Sequence, residues 1–303
     1  MSAQPTSPVA NEVAHPASSA CSPRPGTPEE AIIFLHLPKT AGTTVNRLIE
    51  WEYRLTEMYS IDPVLFEWSA AHLRKLSPQR LKRIRIFKGH MLYGLHKALP
   101  QPATYITVLR DPVDRVISSY YFMRSYKLHP LYWKLRRENW SLEDFVRNSP
   151  RDNVQSKIVA GADYTPPCTR EIVEQAKHNL RHHFTVVGLS ERLEESLALM
   201  KLRFGWKLSS YSSFNVTRAR PKKRDLPEDT IDLIRQKNAF DIELYECAQE
   251  IFESAVGVNA DEVTRIAGAL KAARSRSQGS VGAMLFNARS AVRKAVNRVY
   301  SAV

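Results

Sequence analysis

The segment Ala31 to Trp51, AIIFLHLPKTAGTTVNRLIEW, constrains the fold more than any other. Residues 31–37 are a nearly continuous apolar run, as expected of a short strand buried on both faces. The run stops at Pro38-Lys39-Thr40-Ala41-Gly42-Thr43-Thr44. Val45, Leu48 and Ile49 then follow at i, i+3, i+4, the spacing of a helix. Three further runs repeat the pattern: RIRIFKG (83–89), TYITVLR (104–110) and FTVVGLS (184–190). Helical spacing follows the third run in Val113, Val116, Ile117, Tyr120 and Tyr121, and the fourth in Leu193, Leu197 and Met200. A long helical region is expected over 227–256. Buried strands alternating with helices give an α/β class, a three-layer α/β/α architecture around a central parallel sheet.

The ordered domain is expected over 29–257. Residues 1–28 carry Pro5, Pro8, Pro16, Pro23, Pro25 and Pro28 among Ser, Ala and Thr without apolar periodicity, and read as a disordered leader. Residues 258–303 read as a basic, helical tail with Lys271, Arg274, Arg276, Arg289, Arg293, Lys294 and Arg298. Its stretch LFNARSAVRKAVNRVY has the character of a partner-binding helix or of one that touches a membrane surface. The net charge of +13 over 303 residues calls for an anionic partner: nucleic acid, a phosphorylated or sulfated small molecule, an acidic glycan or a membrane. Cys21, Cys168 and Cys247 are too scattered for a disulfide framework or a metal pair, so free thiols in a cytoplasmic setting are expected. No apolar run reaches the roughly 18 residues of a transmembrane helix.

In an open parallel sheet, ligands bind outside the carboxyl ends of the strands. The 37–44 turn lies at such an end and feeds a helix, whose first N–H groups and dipole favour an anion. Gly42 permits close approach, Thr43 and Thr44 add hydroxyls, and Lys39 adds a full charge. The order is not that of the nucleotide-triphosphate loop, which reads GxxxxGK[ST]. From this turn alone, a phosphate cradle and a capped helix start with an exposed lysine stay equally open. VLRDPVDRVISSYYFMR (108–124) supplies a second cationic strand end. Asp111 is suited to cap the next helix and Pro112 to begin it. Arg110 is thereby placed at the sheet's carboxyl edge, and Ser118 lies two turns into the helix on the side of Asp114. A guanidinium fork with a hydroxyl suits a phosphate, while a salt bridge to a helix carboxylate is the alternative for Arg110.

In this order, LPKTAGTT, GHMLYGL, TVLRDPVDRVISSYYFMR and EQAKHNLRHHFTVVGLSERLEESLALM resemble the carbohydrate sulfotransferases, especially the heparan sulfate 2-O-sulfotransferase type and its bacterial relatives. The resemblance covers about residues 32–252. It implies the P-loop-like sulfotransferase fold and the co-substrate 3′-phosphoadenosine 5′-phosphosulfate (PAPS), with no metal. It also implies transfer of a sulfuryl group to a hydroxylated acceptor, an acidic glycan among the candidates. Lys39, Thr40, Ala41, Gly42, Thr43 and Thr44 match the family's 5′-phosphosulfate loop, and Arg110 with Ser118 its 3′-phosphate pair. His90 matches the general base, a role suited to an imidazole near neutral pH. His36, expected inside the strand, and His96, expected to begin a helix, are weaker rivals. Some relatives carry a second histidine where this chain has Lys88, which could instead bind an anionic acceptor. Arg218, Arg220, Lys222, Lys223 and Arg224 lie where the family has a basic loop over the nucleotide. The competing functions are a kinase with an atypical phosphate loop and a basic nucleic-acid-binding protein. The second has poor support, because few aromatics interleave with the tail's charges.

Overall fold

The computed structural model describes residues 30–61, 66–211 and 221–277. Five strands, β1 (Ala31–Leu35), β2 (Met58–Ile61), β3 (Ile86–Gly89), β4 (Ala103–Leu109) and β5 (Phe184–Leu189), form one sheet in the order β2-β3-β1-β4-β5. Every pairing is parallel. β1, the central strand, is buried along its whole length, as its unbroken apolar run requires. Parallel neighbours need crossover connections, which helices supply. These are α1 (Gly42–Glu52), α2 (Phe66–Lys75), α3 (Pro78–Arg83), α4 (Pro112–Ser125), α5 (Tyr132–Arg137), α6 (Leu142–Asn148), α7 (Val154–Ala160) and α8 (Arg170–His183). After β5 come α9 (Leu193–Phe204), α10 (Glu228–Lys237), α11 (Ala239–Val258) and α12 (Ala260–Ser277).

The chain leaves β1 toward β2 on one side and leaves β4 toward β5 on the other. With right-handed crossovers, connections running in opposite directions cover opposite faces of the sheet, which gives the three layers. They also part between the carboxyl ends of β1 and β4, the position where such sheets bind ligands.

Two expectations about elements change. The helical region 227–256 is two helices, α10 and α11, broken at Asn238, whose backbone N–H and side-chain amide both bond the Ile234 carbonyl. The packed chain also runs past 257. Val263, Ile266 and Leu270 of α12 are buried in the main core, and Arg274 pairs with Glu194 and donates to the Tyr211 hydroxyl. The apolar face of that segment was masked in sequence by its basic composition. The expected leader, the 285–300 helix, and Arg218 and Arg220 lie outside the described residues.

Candidate active site

Three adjacent strand ends build the crevice: β3 delivers His90, β1 delivers His36 and Lys39, and β4 delivers Arg110. The turn after β1 is held by its own side chains. Thr40 Oγ1 donates to the Leu37 carbonyl (3.0 Å), so this hydroxyl, 1% exposed, staples the turn from within. Lys39 and Ala41 take positive φ (69° and 64°), a conformation that costs L-residues about 1–3 kcal/mol each. Ala41 caps α1 without a side-chain hydrogen bond. Thr44 is also buried and its N–H bonds the Ala41 carbonyl, whereas Thr43 remains partly open.

The two cationic positions meet. Arg110 Nη1 donates to the Lys39 carbonyl at 3.0 Å, so the lysine turn and the guanidinium border one space. The arginine's main chain is clamped from both sides by Gln155, whose Oε1 accepts from Arg110 N (3.0 Å) and whose Nε2 donates to Arg110 O (2.9 Å). Gln155 belongs to α7. Asp241 of α11 caps that helix, accepting from the N–H groups of Gln155 (3.2 Å) and Ser156 (2.8 Å) and from Ser156 Oγ (2.8 Å). Glu191 Oε1 stands 3.9 Å from Arg110 Nε, so part of the salt-bridge alternative is present as well.

As expected, α4 begins at Pro112, with Asp111 accepting from Asp114 N. Asp114, Ser118 and Phe122 recur every four residues and share one stripe of α4. Phe122 lies under Lys39 Nζ, 4.1 Å from the ring centroid, so this stripe, with the buried Ser118, faces the lysine turn. Phe122 in turn stacks on the exposed Tyr126 (5.3 Å, 23°). From the basic segment, Lys223 reaches Asp111 Oδ2 at 3.2 Å, beside Arg110.

Two expectations fail here. His36 is not inside a strand: β1 ends at Leu35, and His36 N donates to the Gly89 carbonyl (3.0 Å) just beyond it. Its ring lies in the crevice, stacked on His90 at 4.1 Å and 25°. Burial first, then His90 and Lys88, holds the His36 pKa well below the ordinary 6.5. Lys88 does not face an acceptor. It is 4% exposed, and its Nζ donates to Glu50 Oε1 at 2.8 Å. His96, the other rival, is the second residue of a short helical turn, Leu95–Ala98, and bonds the Tyr105 hydroxyl, far down β4 from Arg110.

Sequence reasoning missed the stripe of α1 that meets these groups. Gly42, Asn46 and Glu50 recur at i, i+4, i+8. Gly42 underlies the His36 ring, Asn46 Nδ2 bonds His36 Nδ1 (3.0 Å), and Glu50 pairs with Lys88. A glycine, an amide and an acid evenly spaced beside an apolar stripe were the available signal. Gln155 and Asp241 had none, because their partners lie 45 or more residues away.

The fold and the crevice define an α/β protein with two cationic side chains, Lys39 and Arg110, gathered at the carboxyl edge of a parallel sheet. The chain belongs to the galactose-3-O-sulfotransferase family, whose model matches residues 3–297. Human galactose-3-O-sulfotransferase 2 is 29% identical over 250 residues, 73% of this chain and 60% of that protein. Chicken heparan sulfate 2-O-sulfotransferase 1 is 23% identical over 252 residues, 73% of this chain and 70% of that one. The carbohydrate sulfotransferase resemblance therefore stands, with the galactose branch now in front. The match spans 60% and 61% of the human and mouse galactose-3-O-sulfotransferases 2. Among solved structures, mouse sulfotransferase SULT7A1 complexed with PAP aligns with a TM-score of 0.37 and 13% identity. It covers 71% of this chain and 66% of that one, too loose a match to bear on the site.

Proposed function

We propose that this protein moves a sulfuryl group from PAPS to a hydroxyl of a galactoside-bearing glycan, with His90 as general base. The observation that carries the reading is the 3.0 Å hydrogen bond from Arg110 to the Lys39 carbonyl. It joins two cationic strand ends around one crevice, as a donor with phosphate groups on both sides of its ribose requires. When bound, PAPS supplies the sulfuryl group and departs as the 3′,5′-bisphosphate.

The chain's own residues do the rest. Lys39, the N–H groups at the start of α1 and the Thr43 hydroxyl hold the 5′ side, while Arg110 and Ser118 hold the 3′-phosphate. Thr40, Ala41 and Thr44 serve through the shape and N–H groups of the turn, since the Thr40 hydroxyl is already committed to Leu37. The positive φ values at Lys39 and Ala41 set that shape before any ligand arrives. Lys39 offsets charge that develops during transfer, an effect of about 3 kcal/mol by analogy with oxyanion donors. His90 takes the acceptor's hydroxyl proton. The acceptor enters beside Lys39, where Phe122 and Tyr126 offer aromatic faces to a sugar ring.

The test is binding of 3′,5′-ADP against ATP by calorimetry, followed by transfer of radiolabelled sulfur from PAPS to lactose. ATP leaves the Arg110 position unmatched and is expected to bind about 2–5 kcal/mol more weakly. Arg110→Ala should remove most of that preference. Equal affinity for the two nucleotides, or binding of magnesium-ATP alone, refutes the reading in favour of a kinase.

A further inference from the structure

The parallel register that pairs Leu35 with Gly89 puts the next residues, His36 and His90, side by side just past the ends of neighbouring strands. Neighbouring strands lie about 4.8 Å apart, and side chains in register point to the same face. The two imidazoles accordingly stack at 4.1 Å between centroids and 25° between planes. Phe34, two residues before His36 and so on the same face, also stacks on the His36 ring, at 5.6 Å and 14°. His36 is thus in ring contact with both Phe34 and His90.

The His36 ring is held by further neighbours. Asn46 bonds its Nδ1. With the amide donating, Nδ1 is the acceptor and the proton sits on Nε2. The absence of a side chain at Gly42 leaves room for the ring edge, because a Cβ there would fall 1.9 Å from His36 Cδ2 and 2.1 Å from Nε2. The Lys88–Glu50 pair closes the same face one strand position further down. Each of these contacts fixes a ring that is only 7% exposed, whereas His90 is partly open to the crevice.

We propose that His36 is a positioning residue for the reaction: its immobilised ring is the platform that fixes the plane of the His90 imidazole against the acceptor hydroxyl. This rests on the sulfotransferase reading above. A ring free to turn about its side-chain bonds presents its basic nitrogen to the acceptor only part of the time, and a displacement of about 1 Å can cost 10²-fold in rate. The part His36 plays is one of shape. A flat ring of similar size is sufficient, and the nitrogens serve to anchor it.

Three variants, His36→Ala, His36→Phe and Asn46→Ala, test this in the full chain, with kcat and KM for PAPS and lactose, 3′,5′-ADP affinity by calorimetry, and the proton NMR shifts of the His90 ring. His36→Ala is expected to lower kcat about 10- to 100-fold. Its 3′,5′-ADP affinity should stay within about 3-fold, since Lys39, Arg110 and Ser118 are all retained. The His90 ring protons should lose the ring-current shift that a stacked neighbour imposes. His36→Phe keeps the flat ring and lacks the Asn46 anchor, so it should recover kcat and that shift to about the level of Asn46→Ala. Asn46→Ala keeps both rings and loosens only the anchor, so it should cause a smaller loss in the same direction. It also keeps the test open should His36→Ala not fold. The proposal is overturned if His36→Ala leaves kcat or the His90 shifts unchanged, or if His36→Phe folds but is as slow as His36→Ala. The NMR arm needs no turnover. If the native chain binds 3′,5′-ADP no better than ATP and sulfates no galactoside, the functional reading fails while the stacking of His36 on His90 is still tested.

Discussion

Gly42→Ala is the substitution whose effect can be worked out most fully. The added Cβ would lie 1.9 Å from His36 Cδ2, where ordinary contact begins near 3.4 Å, so ring and helix must part by about 1.5 Å. The ring cannot simply swing aside, because it is stacked on both Phe34 and His90 and Asn46 holds its edge. Overpacking of this kind costs about 1–3 kcal/mol. Against it stands the helix preference of alanine over glycine, at most about 1 kcal/mol. Gly42→Ala alone should therefore destabilise the protein by about 1–2 kcal/mol. In a His36→Ala background the obstacle is gone, and the same change should be neutral or slightly stabilising. The cycle predicts a coupling of about 2 kcal/mol between two positions six residues apart. Urea unfolding of the four proteins, followed by tryptophan fluorescence, measures it. Additivity within about 0.5 kcal/mol would show that the glycine is not there to admit the ring.

Glu50→Leu strands the Lys88 ammonium in the core and should cost about 3–5 kcal/mol, whereas the double change Glu50→Leu with Lys88→Met should recover most of it; equal losses in the two proteins would contradict the pairing. The pH dependence of stability follows from His36. Its folded pKa lies below the unfolded 6.5, so as pH falls through 6.5 the unfolded chain takes up a proton that the folded chain refuses. Stability is complete above 6.5 and should fall below it, with a limiting slope of about 1.4 kcal/mol per pH unit from this group. His36→Phe should flatten the acid side of a stability–pH curve by that slope; an unchanged curve would show that the imidazole charges freely in the native state.

The strands that the sequence displays plainly are those with no charged interruption. β1, β4 and β5 each lie within a run of apolar residues and appear within a residue or two of their expected bounds. β2, only Met58–Ile61 at the sheet's edge, has too few residues for either period to show. The α10–α11 break was hidden for a related reason: Asn238 interrupts the helix without a proline or glycine to announce it. At the site, the lysine turn and Arg110 could be placed because each follows directly from a strand end. The status of Lys88 and His36 could not. Whether a lysine faces a ligand or a buried glutamate 38 residues away is decided by which side of the sheet α1 covers, and local spacing carries no information on that.

The clamp on Arg110 ties the crevice to the far end of the chain. Gln155 grips both the N–H and the carbonyl of the arginine, and the helix that bears Gln155 is fastened at its start by Asp241 from α11. Local opening of α11 must therefore loosen the hold on Arg110, more than a hundred positions earlier in the chain. By the same linkage, an anion seated on Arg110 resists that opening. On the proposed reading, donor occupancy is communicated in this way to the C-terminal helices, and mutations that merely soften α11 should register as weakened nucleotide affinity, with every residue of the crevice intact.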